Sequence, residues 1–196
     1  MFVQVIEGKV KDGDLYHRQL DKWQSELRPG AKGYLGSTGG ITPDGRSIAV
    51  VRFESKEAAQ ANSERPEQGA WFNEMKKAFD GEPTFKESSD VEVLFDGGSN
   101  DAGFVQVMQG KAKDPAKFRS WSKEHEGQLK KIRPDLIGGI DVWHDGGNFT
   151  STAYFTSEAE ARQNEKAMGD DPMMAEYMSL MDGEMTFFDL PEPIIN

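Results

Sequence analysis

The sequence predicts an α+β protein made of two consecutive βαββαβ repeats, each an antiparallel sheet with helices on one face. Residues 2–12 return as residues 104–114 with eight of eleven positions identical at an offset of 102. Residues 80–85 return at the same offset as residues 182–187. Short apolar runs alternate with longer segments whose apolar residues recur every three or four positions. These observations together indicate a duplicated unit of about a hundred residues.

In the first repeat, the local sequence signals match the βαββαβ order. We expect strands at residues 2–6, 32–38 and 47–53, helices at 14–27, 55–63 and 68–79, and extended segments at 82–85 and 91–95. Arg28-Pro29-Gly30 ends the first helix, and Pro66 interrupts the second because proline lacks a backbone N–H. Ser55 is a typical N-cap residue.

The second repeat has the same order. We expect its strands at residues 104–108 and 186–190, its first helix at 115–132 and its broken second helix at 157–167 and 172–181. Asp114 is a predicted N-cap, and Pro115 suits the first helical position. The predicted domains are residues 1–95 and 103–196, joined by a linker at residues 96–102 that is rich in glycine and polar residues.

Composition excludes several classes of function. The chain has 196 residues, a net charge of −11 and no cysteine. The negative charge disfavours nucleic acid and anionic membranes as partners. The absence of cysteine removes thiol chemistry and favours a cytoplasmic location. No apolar run approaches the roughly 20 residues of a membrane helix, and a strand pattern that begins at Phe2 leaves no room for a signal peptide.

The sheet faces without helices are predicted to be apolar. We group Phe2 and Ile6 with Ile48 and Val50 on such a face in the first repeat, and the second repeat offers a similar face. An apolar face of this size must be buried. We therefore expect the two sheets to pack against each other as one barrel within the chain, with a monomeric pseudo-dimer or a homodimer as the assembly.

The strand-to-helix junctions resemble a known superfamily. Phe53-Glu54-Ser55-Lys56-Glu57-Ala58, followed by a break at Pro66 and by Trp71-Phe72, is similar to the antibiotic-biosynthesis-monooxygenase-like branch of the dimeric α+β barrels, as is the matching stretch from Phe155 to Met174. The resemblance implies paired ferredoxin-like units and a monooxygenase-like enzyme, without cofactor, acting on a small apolar or aromatic molecule in the barrel. The alternative is a non-catalytic ligand-binding or stress-associated barrel.

Haem degradation is disfavoured by the same resemblance. Haem-degrading members use an asparagine on the first strand, a tryptophan at the end of the third and a histidine in the second helix. The matching residues here differ in both repeats: Gln4 and Gln106, Phe53 and Phe155, and Asn62 and Asn164.

Five residues are candidate ligand contacts: Gln4, Gln106, Arg52, Tyr154 and Trp71. Each glutamine interrupts an apolar strand, and a buried amide needs partners, from a ligand or from its counterpart in the other repeat. Arg52 and Tyr154 occupy equivalent positions in the two repeats. Arg52 is expected either to bind an anionic ligand or to form a surface salt bridge. Trp71, equivalent to Met173, begins a soft apolar wall that serves either a planar ligand or core packing.

We hypothesise one ligand site near Arg52 and Gln4 for a small anion with an apolar body. Repeat-to-repeat differences, including Trp23 against His125, should fall on its walls. The three histidines show no metal-ligand spacing, so no metal site is predicted.

Overall fold

The computed structural model describes residues 1–169 and 171–196. The strands are β1 (Phe2–Lys9), β2 (Tyr34–Ile41), β3 (Arg46–Phe53), β4 (Thr84–Ser88), β5 (Val91–Leu94), β6 (Phe104–Lys111), β7 (Leu136–Trp143), β8 (Asn148–Phe155), β9 (Thr186–Leu190) and β10 (Ile194–Ile195). The α-helices are α1 (Gly13–Lys22), α2 (Lys56–Ser63), α3 (Pro66–Met75), α4 (Pro115–Ile132), α5 (Glu158–Ala167) and α6 (Pro172–Ser179). Within the described ranges, no helix combines the length and hydropathy needed to cross a membrane.

The helix ends follow from local capping. Asp114 accepts hydrogen bonds from the backbone of Ala116 and Lys117, and Pro115 occupies the first turn of α4 as predicted. Ser55 and Ser157 cap the N-termini of α2 and α5 through their hydroxyl oxygens. The two first helices differ in form, because α1 continues as a π-helical turn at Trp23–Leu27, whereas α4 is one regular helix of 18 residues.

The chain divides into two compact units. Unit 1 contains Met1–Ser89 and Ile194–Asn196, and unit 2 contains Asp90–Pro193. Unit 1 holds an antiparallel sheet in the order β10-β2-β3-β1-β4, and unit 2 holds one in the order β5-β7-β8-β6-β9. Both repeats keep the same register, with Phe2 opposite Phe53 and Phe104 opposite Phe155. The α+β class and the duplication are confirmed.

In each sheet, one edge strand is supplied by a segment that we had assigned to the other repeat. β5, which we assigned to residues 1–95, pairs with β7 in unit 2, and β10 pairs with β2 in unit 1. The unit boundaries therefore differ from the predicted 95 and 103. Sequence alternation shows that a segment is extended, but the edge it joins is decided by tertiary pairing.

The predicted grouping of sheet faces is wrong. Directly opposed residues of an antiparallel pair share a face. Gln4 lies opposite Val51, whereas Val3 lies opposite Arg52. Ile48, Val50 and Arg52 therefore share the face of Val3 and Val5, and Phe2, Gln4 and Ile6 lie on the other face. Apolar residues occur on both faces of β3, so alternation alone did not fix its register against β1.

Aromatic packing fills the layer between helices and sheet in unit 2. Phe118 of α4 contacts Trp143 of β7 and Phe149 of β8, with ring centroids 5.3 and 5.2 Å apart. All three side chains are buried. Aromatic pairs at these separations add about 0.5–1.5 kcal/mol to the burial of their surface, so α4 is held firmly over the sheet.

Candidate functional site

Each unit contains a cavity lined by strands on one side and by helices on the other. The cavity of unit 2 has a volume of about 420 Å³, and the cavity of unit 1 about 330 Å³. Both volumes fall in the roughly 300–1,000 Å³ range of small-molecule sites. Gln4 and Trp71 line the cavity of unit 1, and Gln106 lines that of unit 2.

Apolar side chains make up most of the wall in unit 2. Phe104 and Phe155 come from the sheet, and Phe118 and Trp121 come from α4. The methionines that line this cavity are Met108, Met168, Met173, Met174, Met178 and Met185. Thioether side chains adapt to irregular shapes and pack well on rings. The methionine-rich wall suggested by the sequence thus lies at a cavity, where it can contact a planar molecule.

A single buried carboxyl group lies on the floor of this cavity. Asp141 is in the middle of β7, is only 4% exposed, and lies opposite Ser151 of β8. The pKa of Asp141 is raised to about 6, chiefly by burial; a hydrogen bond from Ser151 opposes the rise, and the carboxylate of Glu92 contributes to it. Oδ1 of Asp141 has no hydrogen-bond partner within the described part of the chain. A buried acceptor without a partner is a candidate ligand contact.

Charged residues from β5 and α4 surround this carboxyl group. Glu92 of β5 lies opposite Asp141 in register and accepts a hydrogen bond from Nε1 of Trp143 at 3.0 Å. Arg119 of α4 lies 3.8 Å from the Glu92 carboxylate and 4.6 Å from the centre of the Trp143 ring. Arg119 favours the charged form of Asp141, whereas Glu92 favours the protonated form.

Two further groups add to the polar part of the cavity, which also includes Gln106, Ser122, Glu126, Arg133, Arg162 and Glu165. Trp121 is buried, and its Nε1–H has no hydrogen-bond partner among the described residues. Tyr177 packs on Trp121 with ring centroids 5.4 Å apart. Burial raises the pKa of the Tyr177 phenol, and the nearby Asp141 carboxylate adds to the effect. Among the described residues, the cavity therefore offers the unpartnered donor of Trp121 and the unpartnered acceptor of Asp141 to a bound molecule.

The two predicted glutamines are held by carboxylates of the neighbouring strand. Nε2 of Gln4 donates to Glu87 at 2.7 Å, and Nε2 of Gln106 donates to Asp189 at 2.8 Å. Arg162 of α5 also pairs with Asp189. The amide nitrogens thus bond within their own sheets, not to each other. These bonds fix the orientation of both amides at the cavity walls.

Arg52 and Tyr154 lie away from both cavities. They are directly opposite Val3 and Val105, on the other face of their sheets from Gln4 and Gln106. Tyr154 is fully buried, and Arg52 is half-buried with its Nε unpartnered among the described atoms. Arg52 and Gln4, which the anion-site hypothesis combined, therefore lie on opposite faces of the sheet of unit 1. Among the other differing pairs, Trp23, Trp71 and Met173 line cavities, whereas His125 does not and stacks on Trp121 with centroids 4.4 Å apart.

Sequence reasoning missed Asp141, Ser151 and Trp121. The signal for Asp141 was present, since one acidic residue interrupts the apolar run Ile140-Asp141-Val142. Its burial beside a cavity could not be read from that run. Among residues 1–169 and 171–196, no cluster of three His, Asp or Glu side chains could hold a metal ion.

Solved structures with a similar fold cover almost the whole chain. A candidate monooxygenase from Lactobacillus acidophilus NCFM is 11% identical with a TM-score of 0.72, and the match covers 99% of this chain and 93% of that one. A candidate monooxygenase from Fusobacterium nucleatum is 12% identical with a TM-score of 0.77, covering 96% and 90%. An anthrone oxidase-like protein is 11% identical with a TM-score of 0.61, again covering 96% and 90%.

The sequence itself matches no protein-family model and has no significant match among curated proteins. Shorter solved chains described as antibiotic biosynthesis monooxygenases align with about half of the chain, for example 46% for a candidate from Caulobacter crescentus CB15. The chain has the α+β fold of the full-length monooxygenase-like proteins, and its two repeats fit a tandem duplication of ferredoxin-like domains.

Proposed function

We propose that unit 2 is the catalytic part of a cofactor-independent monooxygenase-like enzyme that oxidises a small planar aromatic molecule. The observation that carries this proposal is the Asp141 carboxyl group. It is buried in an apolar cavity, its Oδ1 is unpartnered, and its pKa is raised to about 6. A carboxylate with a pKa near the working pH is suited to remove a proton from a bound substrate.

The substrate class follows from the walls. Aromatic rings and methionines favour a flat apolar body, and the Nε1–H of Trp121 can donate to an oxygen of the substrate. An anthrone fits this description, with an acidic methylene group and a carbonyl in one ring system. One of the similar solved proteins is described as anthrone oxidase-like, which supports the choice of probe.

The chemistry balances with molecular oxygen as the only oxidant. The carboxylate of Asp141 takes a proton from the methylene carbon, and the resulting carbanion is electron-rich enough to reduce oxygen. A carbon–oxygen bond then forms at that carbon. The net change converts one methylene group and one oxygen molecule into one carbonyl group and one water. The peroxide formed at that carbon takes the proton back from Asp141. The Asp141 carboxylate then removes the second methylene proton, which forms the carbonyl group and breaks the oxygen–oxygen bond, and the hydroxide that leaves takes this proton as water. Ser151 holds the carboxyl group in place through their hydrogen bond.

The test is anthrone oxidation by the full chain, followed by oxygen uptake and anthraquinone absorbance above a protein-free control. Asp141→Asn should lower kcat/KM by roughly 10²-fold or more, the range of general-base effects. Asp182→Asn is the matched control, because Asp182 is an exposed carboxylate of the same unit that pairs with Lys111 at 2.7 Å. Equal rates for wild type and Asp141→Asn would contradict the proposal. Binding without turnover in wild type would favour the non-catalytic alternative.

A further inference from the structure

The cavity of unit 1 has aromatic walls but a different polar character. Eight aromatic rings contribute to it: Tyr16, Trp23, Tyr34, Phe53, Trp71, Phe72, Phe79 and Phe85. Trp23 and Trp71 lie with ring centroids 6.4 Å apart, and Trp23 and Tyr34 lie 4.8 Å apart. The rings come from α1, α3, three strands (β2, β3 and β4) and the turns that follow both helices, so the wall surrounds a space of about 330 Å³.

The polar hydrogens of three of these rings already have partners inside the protein. Nε1 of Trp23 donates to Gln68 at 2.9 Å, Nε1 of Trp71 donates to the carbonyl oxygen of Gln19 at 2.7 Å, and the hydroxyl of Tyr34 donates to Ser37 at 2.8 Å. In unit 2, by contrast, the indole of Trp121 lacks a partner within the described part of the chain. The rings of unit 1 therefore present mainly their carbon faces to the cavity.

The equivalent of the catalytic pair is missing from unit 1. Gly39 and Ala49 lie opposite each other in register, where unit 2 has Asp141 and Ser151 at an offset of 102. Among the described residues that line the cavity of unit 1, none is an aspartate, glutamate, lysine, arginine or histidine. A charged ligand would lose its hydration there without gaining a counter-charge, which is unfavourable. The described side chains that line this cavity are thus uncharged, and they lack the carboxylate base of unit 2.

We propose that the cavity of unit 1 is a second binding site, which holds a neutral planar aromatic molecule by ring packing and does not transform it. The duplication has let one copy keep proton chemistry while the other keeps only the aromatic walls. The contrast with unit 2 rests on the function proposed above, whereas binding in unit 1 does not depend on it.

The experiment measures binding stoichiometry by titration calorimetry. The probes are naphthalene-2-carboxamide, which is neutral, and naphthalene-2-carboxylate, which has the same shape and a negative charge. Wild type should bind two molecules of the amide. Ala49→Leu should bind one, because Ala49 lines the floor of the unit 1 cavity. Ala153→Leu, a matched filling of the unit 2 cavity, should retain the other.

The carboxylate should bind to the unit 1 cavity at least tenfold more weakly than the amide, measured in Ala153→Leu. Gly69→Leu is the second blocking variant, because Gly69 lines the same cavity and a Cβ there meets no heavy atom within 4 Å. This variant should also bind one amide, so the test stands even where Ala49→Leu does not fold. The proposal is overturned if a folded blocking variant of unit 1 binds the amide as wild type does, or if Ala153→Leu binds none.

Failure of this inference and failure of the proposed function give different results. Asp141→Asn should retain amide binding in unit 1 whatever happens to turnover. Loss of anthrone oxidation in Asp141→Asn tests unit 2 alone, and the stoichiometry of Ala49→Leu tests unit 1 alone.

Discussion

The substitution Asp141→Asn should change stability in a strongly pH-dependent way. The group is buried on the sheet of unit 2, and its pKa rises from the usual 3.8 to about 6 on folding. In the native state the carboxyl group therefore keeps its proton over a pH range where the unfolded chain has lost it. Between about pH 4 and pH 6 the native state binds more protons, so its free energy of unfolding falls as the pH rises. Asparagine has nearly the same shape and does not titrate.

The size of the effect follows from the two pKa values. One unit of pKa difference corresponds to about 1.4 kcal/mol. A rise from 3.8 to about 6 thus costs the native protein about 3 kcal/mol above pH 7, relative to acid conditions where both states are protonated. The unfolded carboxyl group is already more than half ionised at pH 4, so the stability of Asp141→Asn relative to wild type should increase by about 2.4 kcal/mol between about pH 4 and about pH 8.

Urea denaturation of both proteins at the two pH values measures this difference directly. Comparing the variant with wild type cancels the titration of the other carboxyl groups, which the two proteins share. Asp182→Asn is again the control, with the opposite sign. The hydrogen bond and charge of Lys111 lower the pKa of Asp182, so wild type should gain stability over this variant as the pH rises. The reasoning is refuted if the difference between Asp141→Asn and wild type is the same at both pH values.

Three further predictions follow from specific contacts. Glu92→Gln removes a charge that favours the protonated form of Asp141, so the acid limb of the pH–rate profile for anthrone oxidation should move to lower pH. Arg119→Gln removes a charge that favours the carboxylate and should move the same limb to higher pH. Movement in the reverse directions would count against Asp141 as the base. Asp135→Ala leaves Arg133 buried without its bidentate partner at 2.7 and 3.0 Å, and should lower the free energy of unfolding measured with urea by about 3–5 kcal/mol. A double variant with apolar residues at both positions should lose less stability, because it leaves no charge buried alone. A larger loss in the double variant would contradict this. Incubation with haem and a reductant should leave the Soret band as stable as in a protein-free control, since all three haem-degradation positions are changed in both repeats; faster bleaching with the protein would show haem turnover.

Local signals in the sequence were sufficient for much of the fold. The repeat at an offset of 102 predicted the duplication, and Asp114-Pro115 predicted the start of α4 at the residue where it begins. Such signals are reliable because a cap or a proline acts on its own backbone within a few residues. Gln4, Gln106 and Trp71 were also chosen from the sequence and lie on cavity walls.

Asp141 shows what the sequence could not supply. Its identity and its place in a strand were visible, but its pKa is raised first by burial and is then adjusted by Ser151, Glu92 and Arg119, which lie on three other elements. The separation of Arg52 from Gln4 depends likewise on the register between β1 and β3. Burial and charge act through space, so they are defined only when distant segments have been placed side by side.

The sequence by itself determined the repeats, the order of helices and strands, and the polar residues that interrupt apolar strands. Only the tertiary structure decided which sheet edge received β5 and β10, which face each side chain occupies, and which of the two cavities contains a carboxyl group. The reason is physical: a strand shows its alternation in its own residues, but its register and its neighbours are set by hydrogen bonds and packing with segments far away in the chain.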